Sequence, residues 1–459
     1  DNELSSASNY IPDRLNTFGG VIKRAGTTKQ LSNQQTQTFR SIYQGHNAIY
    51  FTGTTLCKIL DNTTIFTAGG ATNVWDWTTW SDTAVNRDLF VNAFDNPKKT
   101  GGTAGTTADI AGAPPVSRCI KVYHNMVFLV PSAGTSNSRI LRWSDLGTFE
   151  TWPAVNAFTL TSSDDIIMGL MPFNDKLMVM CERKFFHVTG FSQTDISVPY
   201  SCYEEGCASH RAIVPTPHGL FWWGRSGAGL IWSKDGFGGD SLDRPLMRKI
   251  PNTIDAIAGN LAFVHGFWNA LHQRVEMYIP STSSNAIDLA IFYYPLDDSV
   301  WIEEGLGIQN SASCWIVSSI VGTSISGAPL ALLGSQTATG YLYNQSGVTD
   351  DGTDISAALE TRRETTEFGP AALKHCDDLH VSWVNQGAGT IGLGYYLDES
   401  TSLASTSFSL SSAGTADTLN SKYIGLNRNF RKLKIRISDD DSVRTQIRSI
   451  MNYGHLVSM

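Results

Sequence analysis

The chain has 459 residues, a formal net charge of −8 and an aromatic content of 10%. Abundant Gly, Ser and Thr with frequent Trp and Phe, and no long Lys/Glu/Ala-rich segment, are typical of an all-β protein. The acidic balance excludes a protein that wraps DNA by neutralising its phosphates, because such proteins are usually basic. No apolar run is long enough for a transmembrane helix, and no signal peptide is expected in DNELSSASNY.

Residues 1–35 are predicted to form an N-terminal arm. This segment contains a Gly-Gly turn followed by the basic pair Lys23 and Arg24. A charged pair of this kind either keeps an exposed strand edge from pairing with another chain or binds an acidic partner. Both interpretations stay open at this point.

The first predicted hairpin has its turn at His46-Asn47, with strands at Ala48–Phe51 and Leu56–Leu60. After it, residues 61–115 are polar and rich in Gly and Thr. Long stretches of this composition usually form surface connections. The prediction for residues 61–115 is therefore a long inserted loop.

The same pattern, a polar two-residue turn and then an apolar strand, recurs along the chain. From the second copy on, the turns are spaced by roughly 45 to 55 residues, the length of one four-stranded propeller blade. The further turns are His124-Asn125, Asn174-Asp175, His218-Gly219, His272-Gln273 and Ser326-Gly327. The strands that follow the first four of them are Met126–Val130, Leu177–Cys181, Leu220–Trp223 and Arg274–Ile279.

This recurrence predicts a β-propeller of about six blades over residues 36–347. Two ordinary β-sandwiches are the alternative, since they also have short strands with regular turns. The regular register over five copies favours the propeller. The N-terminal arm would then either close the propeller or pack on the domain that follows it.

An acidic, Gly-containing linker at Val348–Asp354 marks a domain boundary, and residues 348–459 are predicted to form a C-terminal β-sandwich. Strict alternation in Lys432–Ser438 buries one face and leaves a basic face outward. This face could contact phosphates or another subunit, although a solvated surface is the favoured interpretation. Its basic residues are Arg428, Arg431, Lys432, Lys434 and Arg436.

The seven cysteines are scattered, and none forms a CxxC pair. Free buried thiols are expected, which indicates assembly in a reducing cytoplasm. Cys202 and Cys207 are close enough in sequence for a disulfide, but this pairing is the less favoured interpretation.

No catalytic motif stands out, so the chain is predicted not to be an enzyme and to carry no cofactor or metal. Two partial Asp boxes, at Ser144–Trp152 and Trp232–Gly236, are interpreted as turns between strands. The acidic candidates are adjacent pairs such as Asp164-Asp165 and Glu204-Glu205. Neighbours on a strand point to opposite faces, so neither pair forms a glycosidase dyad by itself. The closest histidine pairs, His375/His380 and His265/His272, lack a ligand-like arrangement on strands.

Several segments together resemble one family, the tail nozzle of short-tailed bacteriophages, also called tail tubular protein B or packaged-DNA stabilisation protein. The resemblance spans most of the chain and lies in loose motifs: FGGVIKRAGT (18–27), RWSDLGTFETWP (142–153), KFFHVTG (184–190), ETRRETTEFG (360–369) and RKLKIRIS (431–438).

The resemblance implies a propeller carrying a platform-like sandwich built from the chain ends. It further implies a non-enzymatic ring of six identical subunits below a portal and adaptor. Such a ring would also meet tail fibre or needle proteins, retain packaged double-stranded DNA and conduct it during ejection. The location implied is the virion, after assembly in the bacterial cytoplasm.

An alternative function belongs to a different class. Propellers also serve as glycan-binding or glycan-hydrolysing proteins, for instance in receptor recognition. Hydrolysis would need two carboxylates that face each other across one pocket. Carboxylates from different blades would have to converge to make such a pair.

Overall fold

A computed structural model gives the structure of this chain, and it divides into two compact units. The propeller unit comprises Lys29–Val300 and Ser311–Asn344, and the sandwich unit comprises Asp1–Thr28, Trp301–Asn310 and Gln345–Met459. The structure describes residues 4–8, 10–12, 21–23, 27–29, 39–71, 74–82, 86–132, 138–160, 165–192, 195–198, 205–225, 227, 229–234, 242–282, 287–304, 316–323, 329–335, 341–345, 349–350, 353–354, 357–361, 373–384, 389–398, 400, 402–410, 419–439 and 446–458.

Nearly all regular structure is β. The N-terminal strands are β1 (Leu4–Ser8), β2 (Tyr10–Pro12), β3 (Val21–Lys23) and β4 (Thr27–Lys29). The next twelve are β5 (Ser41–Gln44), β6 (Ile49–Thr52), β7 (Leu56–Ile59), β8 (Thr64–Thr67), β9 (Asp76–Ser81), β10 (Asn86–Val91), β11 (Lys98–Thr100), β12 (Ala108–Asp109), β13 (Ser117–Tyr123), β14 (Met126–Pro131), β15 (Ile140–Trp143) and β16 (Ala157–Thr159).

The second half of the propeller unit continues in the same style. Its strands are β17 (Ile167–Phe173), β18 (Lys176–Cys181), β19 (Phe185–Val188), β20 (Ile213–Thr216), β21 (Gly219–Trp223), β22 (Leu230–Ser233), β23 (His265–Asn269), β24 (Arg274–Ile279), β25 (Leu289–Tyr294), β26 (Ser299–Glu304), β27 (Ile316–Thr323), β28 (Pro329–Ser335) and β29 (Leu342–Gln345). The described helices are short: α1 (Pro245–Lys249), α2 (Pro251–Asp255) and the 3-10 turns His210–Ala212 and Leu261–Phe263.

The last group of strands belongs to the sandwich unit. These are β30 (Thr349–Asp350), β31 (Thr353–Asp354), β32 (Ala357–Thr361), β33 (Leu373–Val384), β34 (Gly389–Leu397), β35 (Ala404–Leu410), β36 (Leu419–Phe430), β37 (Leu433–Asp439) and β38 (Gln446–Ser458).

The predicted polar turns do connect neighbouring strands. Positive φ angles at His124 (44°) and Asn125 (56°), and again at Asn174 (47°) and Asp175 (55°), match the tight turns that suit the twist of a hairpin. Strands β13 and β14, and β17 and β18, pair directly across these turns. The turn predicted at Ser326-Gly327 lies outside the described residues.

In the described part of the propeller unit, seven antiparallel sheets follow one another along the chain. Their first three strands are β5-β6-β7, β9-β10-β11, β13-β14-β15, β17-β18-β19, β20-β21-β22, β23-β24-β25 and β27-β28-β29. From β9 onward the first strand of each sheet lies against the first strand of the next, and β27 lies against β5. Trp77 of β9 stacks on Tyr43 of β5, with ring centroids 5.4 Å apart, which links the first two sheets. The sheets therefore close into a ring, a β-propeller.

The sequence predicts about six blades and a long loop at residues 61–115. The structure differs there, because this stretch holds strands β9–β12, which form a sheet of their own. Its strands contain few aliphatic residues, so they carry little apolar periodicity. Indole rings supply the buried surface instead, at Trp75, Trp77 and Trp80.

Apolar side chains fill the gaps between successive sheets. Between the third and fourth sheets, for example, Phe128 and Val130 of β14 pack in one cluster with Leu177 and Val179 of β18. Similar clusters join the seventh sheet to the first, the first to the second, the second to the third and the fourth to the fifth. Each buried aromatic or branched side chain contributes about 1.5–3 kcal/mol to folding, so the core is distributed around the ring.

The sandwich unit contains two five-stranded sheets, in the orders β1-β32-β37-β34-β35 and β2-β3-β38-β33-β36. One apolar cluster takes side chains from both, including Ile437 of β37 and Val381 of β33. The two sheets thus face each other as a β-sandwich, with strands from both ends of the sequence. The predicted alternation in β37 is confirmed, because burial alternates along Leu433–Asp439.

The cysteine prediction is confirmed where it can be examined. Cys57, Cys119, Cys181, Cys207 and Cys376 are free and buried. Cys202 and Cys314 lie outside the described residues. No helix within the described ranges is both long and apolar enough to cross a membrane.

Candidate functional site

Charged and imidazole side chains gather where the first strands of the propeller sheets begin. Because every sheet repeats the same strand order around the ring, these starting points lie at one end of the propeller axis. We call this group the axial cluster. Its members are Arg40, Asp76, Arg118, Lys121, His210, Arg211 and His265.

The 3-10 turn His210–Ala212 bridges sheets that are not neighbours in the ring. Arg211 lies just before β20, and Arg40 lies just before β5. The Arg211 guanidinium donates to the carbonyl oxygen of Arg40 at 2.7 Å. The Nε2 atom of His210 lies 3.2 Å from the carbonyl oxygen of Trp75, which precedes β9. Ser209 caps the turn by accepting from the backbone of Arg211. The turn therefore spans this end of the axis.

Asp76 supplies negative charge to the cluster, but both of its oxygens are engaged. Oδ1 pairs with the ammonium group of Lys121, and Oδ2 accepts from the backbone N–H of Ile120 at 2.9 Å. Lys121 also donates to the carbonyl oxygen of Trp77 at 2.9 Å. Asp76 thus balances Lys121 and locks the second sheet to the third.

Burial and neighbouring cations keep the imidazoles of the cluster neutral. Burial, and then the positive charge of Arg211, lowers the pKa of His265 to about 3. Burial lowers the pKa of His210 to about 3 as well, with Asp76 opposing the shift and Arg211, Arg118 and Lys121 adding to it. The pKa of Arg211 falls to about 10 through burial and through the charge of Arg40. The environment is thus buried and positively charged.

Other carboxylates near the strand starts also have structural partners. Asp165 Oδ1 accepts three backbone N–H groups, from Ile166, Glu182 and Arg183, and so holds a turn of the fourth sheet. Glu205 pairs with Arg244 at 2.8 Å. The Oδ2 atom of Asp165 is buried without a partner among the described residues, and burial raises the pKa of this carboxyl group. Asp164 and Glu204, named with them in the sequence analysis, lie outside the described residues.

A buried ion pair in the sixth sheet is fully satisfied. Glu276 accepts from Arg274 and Asn269, each at 2.7 Å, and from Tyr278 at 2.6 Å. Arg274 also donates to Tyr294 at 2.9 Å. Burial would raise the pKa of Glu276, but Arg274 and the hydrogen bonds hold it below its ordinary value. In the searched part of the chain, no group of three or more His, Cys, Asp or Glu could hold a metal ion.

The predicted basic residues of the sandwich unit fall into two groups. Lys434 and Arg436 of β37 both face Glu360 of β32, with Arg436 at 3.8 Å. Arg428 and Arg431 are exposed and Lys432 is half-buried around the β36–β37 turn. Lys434 and Arg436 are therefore engaged in ion pairing.

The remaining predicted pair lies near the N-terminus. Lys23 is the last residue of β3, and no side-chain environment is described for it. Arg24 lies outside the described residues. Strand β3 belongs to the same sheet as β36, whereas β37 belongs to the other sheet of the sandwich unit.

An apolar patch, which sequence reasoning missed, lies on the outward side of the sheet β2-β3-β38-β33-β36. Leu419 and Tyr423 of β36 are 68% and 59% exposed, and Met451 of β38 is 43% exposed. His380 of β33 pairs with both Tyr423 and Met451 in the sheet, and its ring lies 4.5 Å from that of Tyr423. We call Leu419, Tyr423 and Met451 the outer face.

The axial cluster was also missed, although the sequence carried a signal for it. Arg40 and Arg118 each lie six residues before a turn histidine, and Arg211 and His265 each lie seven residues before one. Aligning the repeats on their turns would have placed these four side chains at the same level of the ring. The outer face left no such signal, because β36 is exposed along most of its length.

No protein-family model and no curated protein sequence matches the chain. Among solved structures, it is similar to the Pan2 WD40 domain of Neurospora crassa, at 9% identity and a TM-score of 0.29, covering 74% of this chain and 89% of that one. It is similar to a glycoside hydrolase family 43 arabinoxylan arabinofuranohydrolase of Bacillus subtilis, at 10% identity and a TM-score of 0.25, covering 100% and 96%.

A third similar structure is a DUF4623 family protein of Bacteroides eggerthii, at 12% identity and a TM-score of 0.30, covering 71% of this chain and 87% of that one. At these values the likeness adds no argument about function. The propeller follows from the order of the sheets in the chain itself. The chain is an all-β protein with a β-propeller and a β-sandwich.

Proposed function

We propose that the chain is a non-catalytic subunit of a bacteriophage tail, of the nozzle type, in which identical copies assemble into a ring. The observation that carries the proposal is the sandwich unit, which combines strands from both ends of the sequence and presents the apolar outer face. The nozzle resemblance implies this combination of a propeller with a platform made from the chain ends.

The outer face supports self-assembly on physical grounds. Tyr423 of β36 and Met451 of β38 flank His380 of the strand between them, and Leu419 lies four residues before Tyr423 on β36, so they form a patch on one sheet. Contiguous exposed apolar surface commonly marks a protein contact. Closed rings of identical subunits are a usual outcome when such contacts are head-to-tail.

The carboxylates support a function without catalysis. Asp76 and Glu205 each pair with a cation, which occupies these two acidic side chains in structural contacts. The net charge of −8 suits a ring through which double-stranded DNA passes without adhering. Partners of the ring would be a portal, an adaptor and a fibre or needle protein.

The test is the mass of the purified chain by light scattering. Wild type is expected to form one discrete oligomer, hexameric if the resemblance holds. Leu419→Ser/Tyr423→Ser is expected to shift the population to monomer. The matched control is Phe191→Ser, which removes an equally exposed aromatic ring from the propeller unit and should leave the oligomer intact. A monomeric wild type across the micromolar range contradicts the proposal.

A second candidate function is glycan binding, as in a receptor-recognition protein. The observation that favours it is Phe191, which is 65% exposed and rests on His124 with ring centroids 4.4 Å apart. An exposed flat ring supported from behind suits stacking against a sugar. Binding to a glycan array that disappears in Phe191→Ala and persists in Tyr423→Ser would establish this function. A reducing-sugar assay on the same glycans would reveal hydrolysis.

A further inference from the structure

Among the residues that the structure describes, the axial cluster holds more positive than negative charge. Arg40, Arg118 and Arg211 approach one end of the propeller axis from three different sheets. Asp76, the carboxylate among them, is engaged by Lys121 and by the backbone of Ile120. Buried charges in proteins are normally paired, because leaving water without a partner is costly.

Hydrogen-bonding capacity at the same place is also unmet. The Nε atoms of Arg40, Arg118 and Arg211 are buried and have no partner among the residues that the structure describes. His265 is 4% exposed, and its Nε2 atom is likewise buried without a partner there. The Nδ1 atom of His265 lies 3.4 Å from the carbonyl oxygen of Phe263, which leaves Nε2 available for another group.

The surroundings of His265 connect it to the cluster. His265 begins β23, which packs against the 3-10 turn that carries His210 and Arg211. Arg211 lowers the affinity of His265 for a proton through its charge, so the two groups are electrostatically close. His265 thus lies in the same buried, positively charged neighbourhood as Arg211 and Arg40.

We propose that the axial cluster binds a small oxyanion, such as phosphate, sulfate or the carboxylate of an acidic ligand. Guanidinium groups present N–H donors in a planar fork that matches the oxygen spacing of these anions. An anion here would neutralise the surplus charge of Arg40, Arg118 and Arg211 and would engage their free Nε donors. It would also favour a protonated His265, whose Nε2 would then donate.

This proposal is independent of the nozzle assignment. The site lies wholly within the propeller unit, whereas the outer face lies in the sandwich unit. An assembly experiment can therefore fail while anion binding succeeds, and the reverse can also occur.

The experiment is thermal unfolding of the full chain in sodium phosphate, sodium sulfate, sodium glucuronate and sodium chloride at matched ionic strength and pH 7. Ligand binding stabilises the folded state in a saturable way, with about 2.7 kcal/mol gained at one hundred times the Kd. Inorganic phosphate is expected to raise Tm with saturation, and isothermal titration should give a matching heat. A larger rise in Tm with glucuronate than with phosphate would identify the carboxylate of an organic ligand as the preferred anion.

The informative variant is Arg40→Gln. It removes one guanidinium group but keeps the backbone carbonyl that accepts from Arg211, so the fold should persist. In Arg40→Gln, the affinity for phosphate obtained from the saturable rise in Tm should fall at least fivefold. The matched control is Arg225→Gln, which removes an exposed arginine paired with Glu182 and should bind phosphate as wild type does.

General salt effects of phosphate and sulfate raise Tm without saturation and in all variants alike. An equal, unsaturated rise in wild type and Arg40→Gln, with no heat on titration, would overturn the proposal. If Arg40→Gln fails to fold, Arg118→Gln tests the same prediction from the third sheet.

Discussion

The two units of the chain differ in where their charged and their large apolar side chains lie. In the propeller unit, charged groups such as Glu276 and Asp88 are fully buried and hydrogen-bonded, and the large exposed apolar residues, such as Phe94 and Leu296, come from separate connecting segments. In the sandwich unit, three large apolar side chains stand together on one sheet. The difference shows that the propeller unit keeps ionised groups inside its core, including the buried donors of the axial cluster, whereas the sandwich unit exposes apolar side chains on one sheet.

The largest effect on stability is expected from Glu276→Gln in the propeller unit. The substitution keeps the shape of the side chain but leaves Arg274 buried without a counter-charge. Removing one partner of a buried pair costs about 3–5 kcal/mol. We expect a loss of this size in the free energy of unfolding, measured by urea denaturation.

The control for that substitution is Asp109→Asn, in which an exposed carboxylate loses its pairing with Lys98. Exposed pairs contribute about 0–1 kcal/mol. Equal effects of the two substitutions would contradict the view that buried charge pairs organise the propeller unit.

A smaller effect is expected from Asp88→Asn. Asp88 of the second sheet accepts from the backbone N–H groups of His46 (2.7 Å) and Asn47 (3.1 Å) and from the hydroxyl of Tyr50, so it fixes the first hairpin turn. Hydrogen bonds to a charged group contribute about 1.5–3 kcal/mol. We expect the loss of about 2 kcal/mol on denaturation, and hydrogen exchange near His46 should accelerate. Unchanged protection at this turn would count against the role given to Asp88.

The axial cluster predicts a dependence of stability on pH. The pKa of His265 is about 3 in the folded chain, against an ordinary value of 6.5, and that of His210 is shifted equally. The unfolded chain therefore binds more protons below pH 6.5. Stability is complete above about pH 6.5 and falls as pH decreases toward 3, by at most about 1.4 kcal/mol per pH unit for each imidazole.

The measurement is the midpoint of urea unfolding at pH 7.0 and 5.5. His265→Gln should lose less stability than wild type over this interval, because it lacks one of the two groups. An identical pH dependence in wild type and His265→Gln would show that His265 is not held neutral by its surroundings.

The smallest effect on stability is expected at the outer face. Tyr423→Ser and Met451→Ser replace exposed side chains, and such changes usually alter the free energy of unfolding by less than about 0.5 kcal/mol. They should nevertheless weaken self-association, measured by sedimentation velocity. A large loss of stability in the monomer would mean that these side chains belong to the fold rather than to a contact.

Much of the fold could be predicted from the sequence, because its signals are local. Polar pairs such as His124-Asn125 mark turns through backbone preference, and the strand that follows this pair, Met126–Pro131, is continuously apolar. The sheet β9–β12 could not be predicted in this way, because its strands bury indole rings between polar residues. A reading based on aliphatic periodicity assigns such strands to a loop.

The candidate sites were harder to predict, for two different reasons. The axial cluster depends on contacts across the ring, such as that between Arg211 and Arg40, which are 171 residues apart in sequence. The outer face depends on the pairing of β36 and β38 with β33, which sets Tyr423 beside His380 and Met451. Neither neighbourhood follows from local composition.

The most direct test of the central claim is imaging of the purified chain by negative-stain microscopy. The account predicts closed rings with rotational symmetry, which disappear in Leu419→Ser/Tyr423→Ser while the individual particles stay folded. Isolated single subunits in the wild-type sample would contradict it.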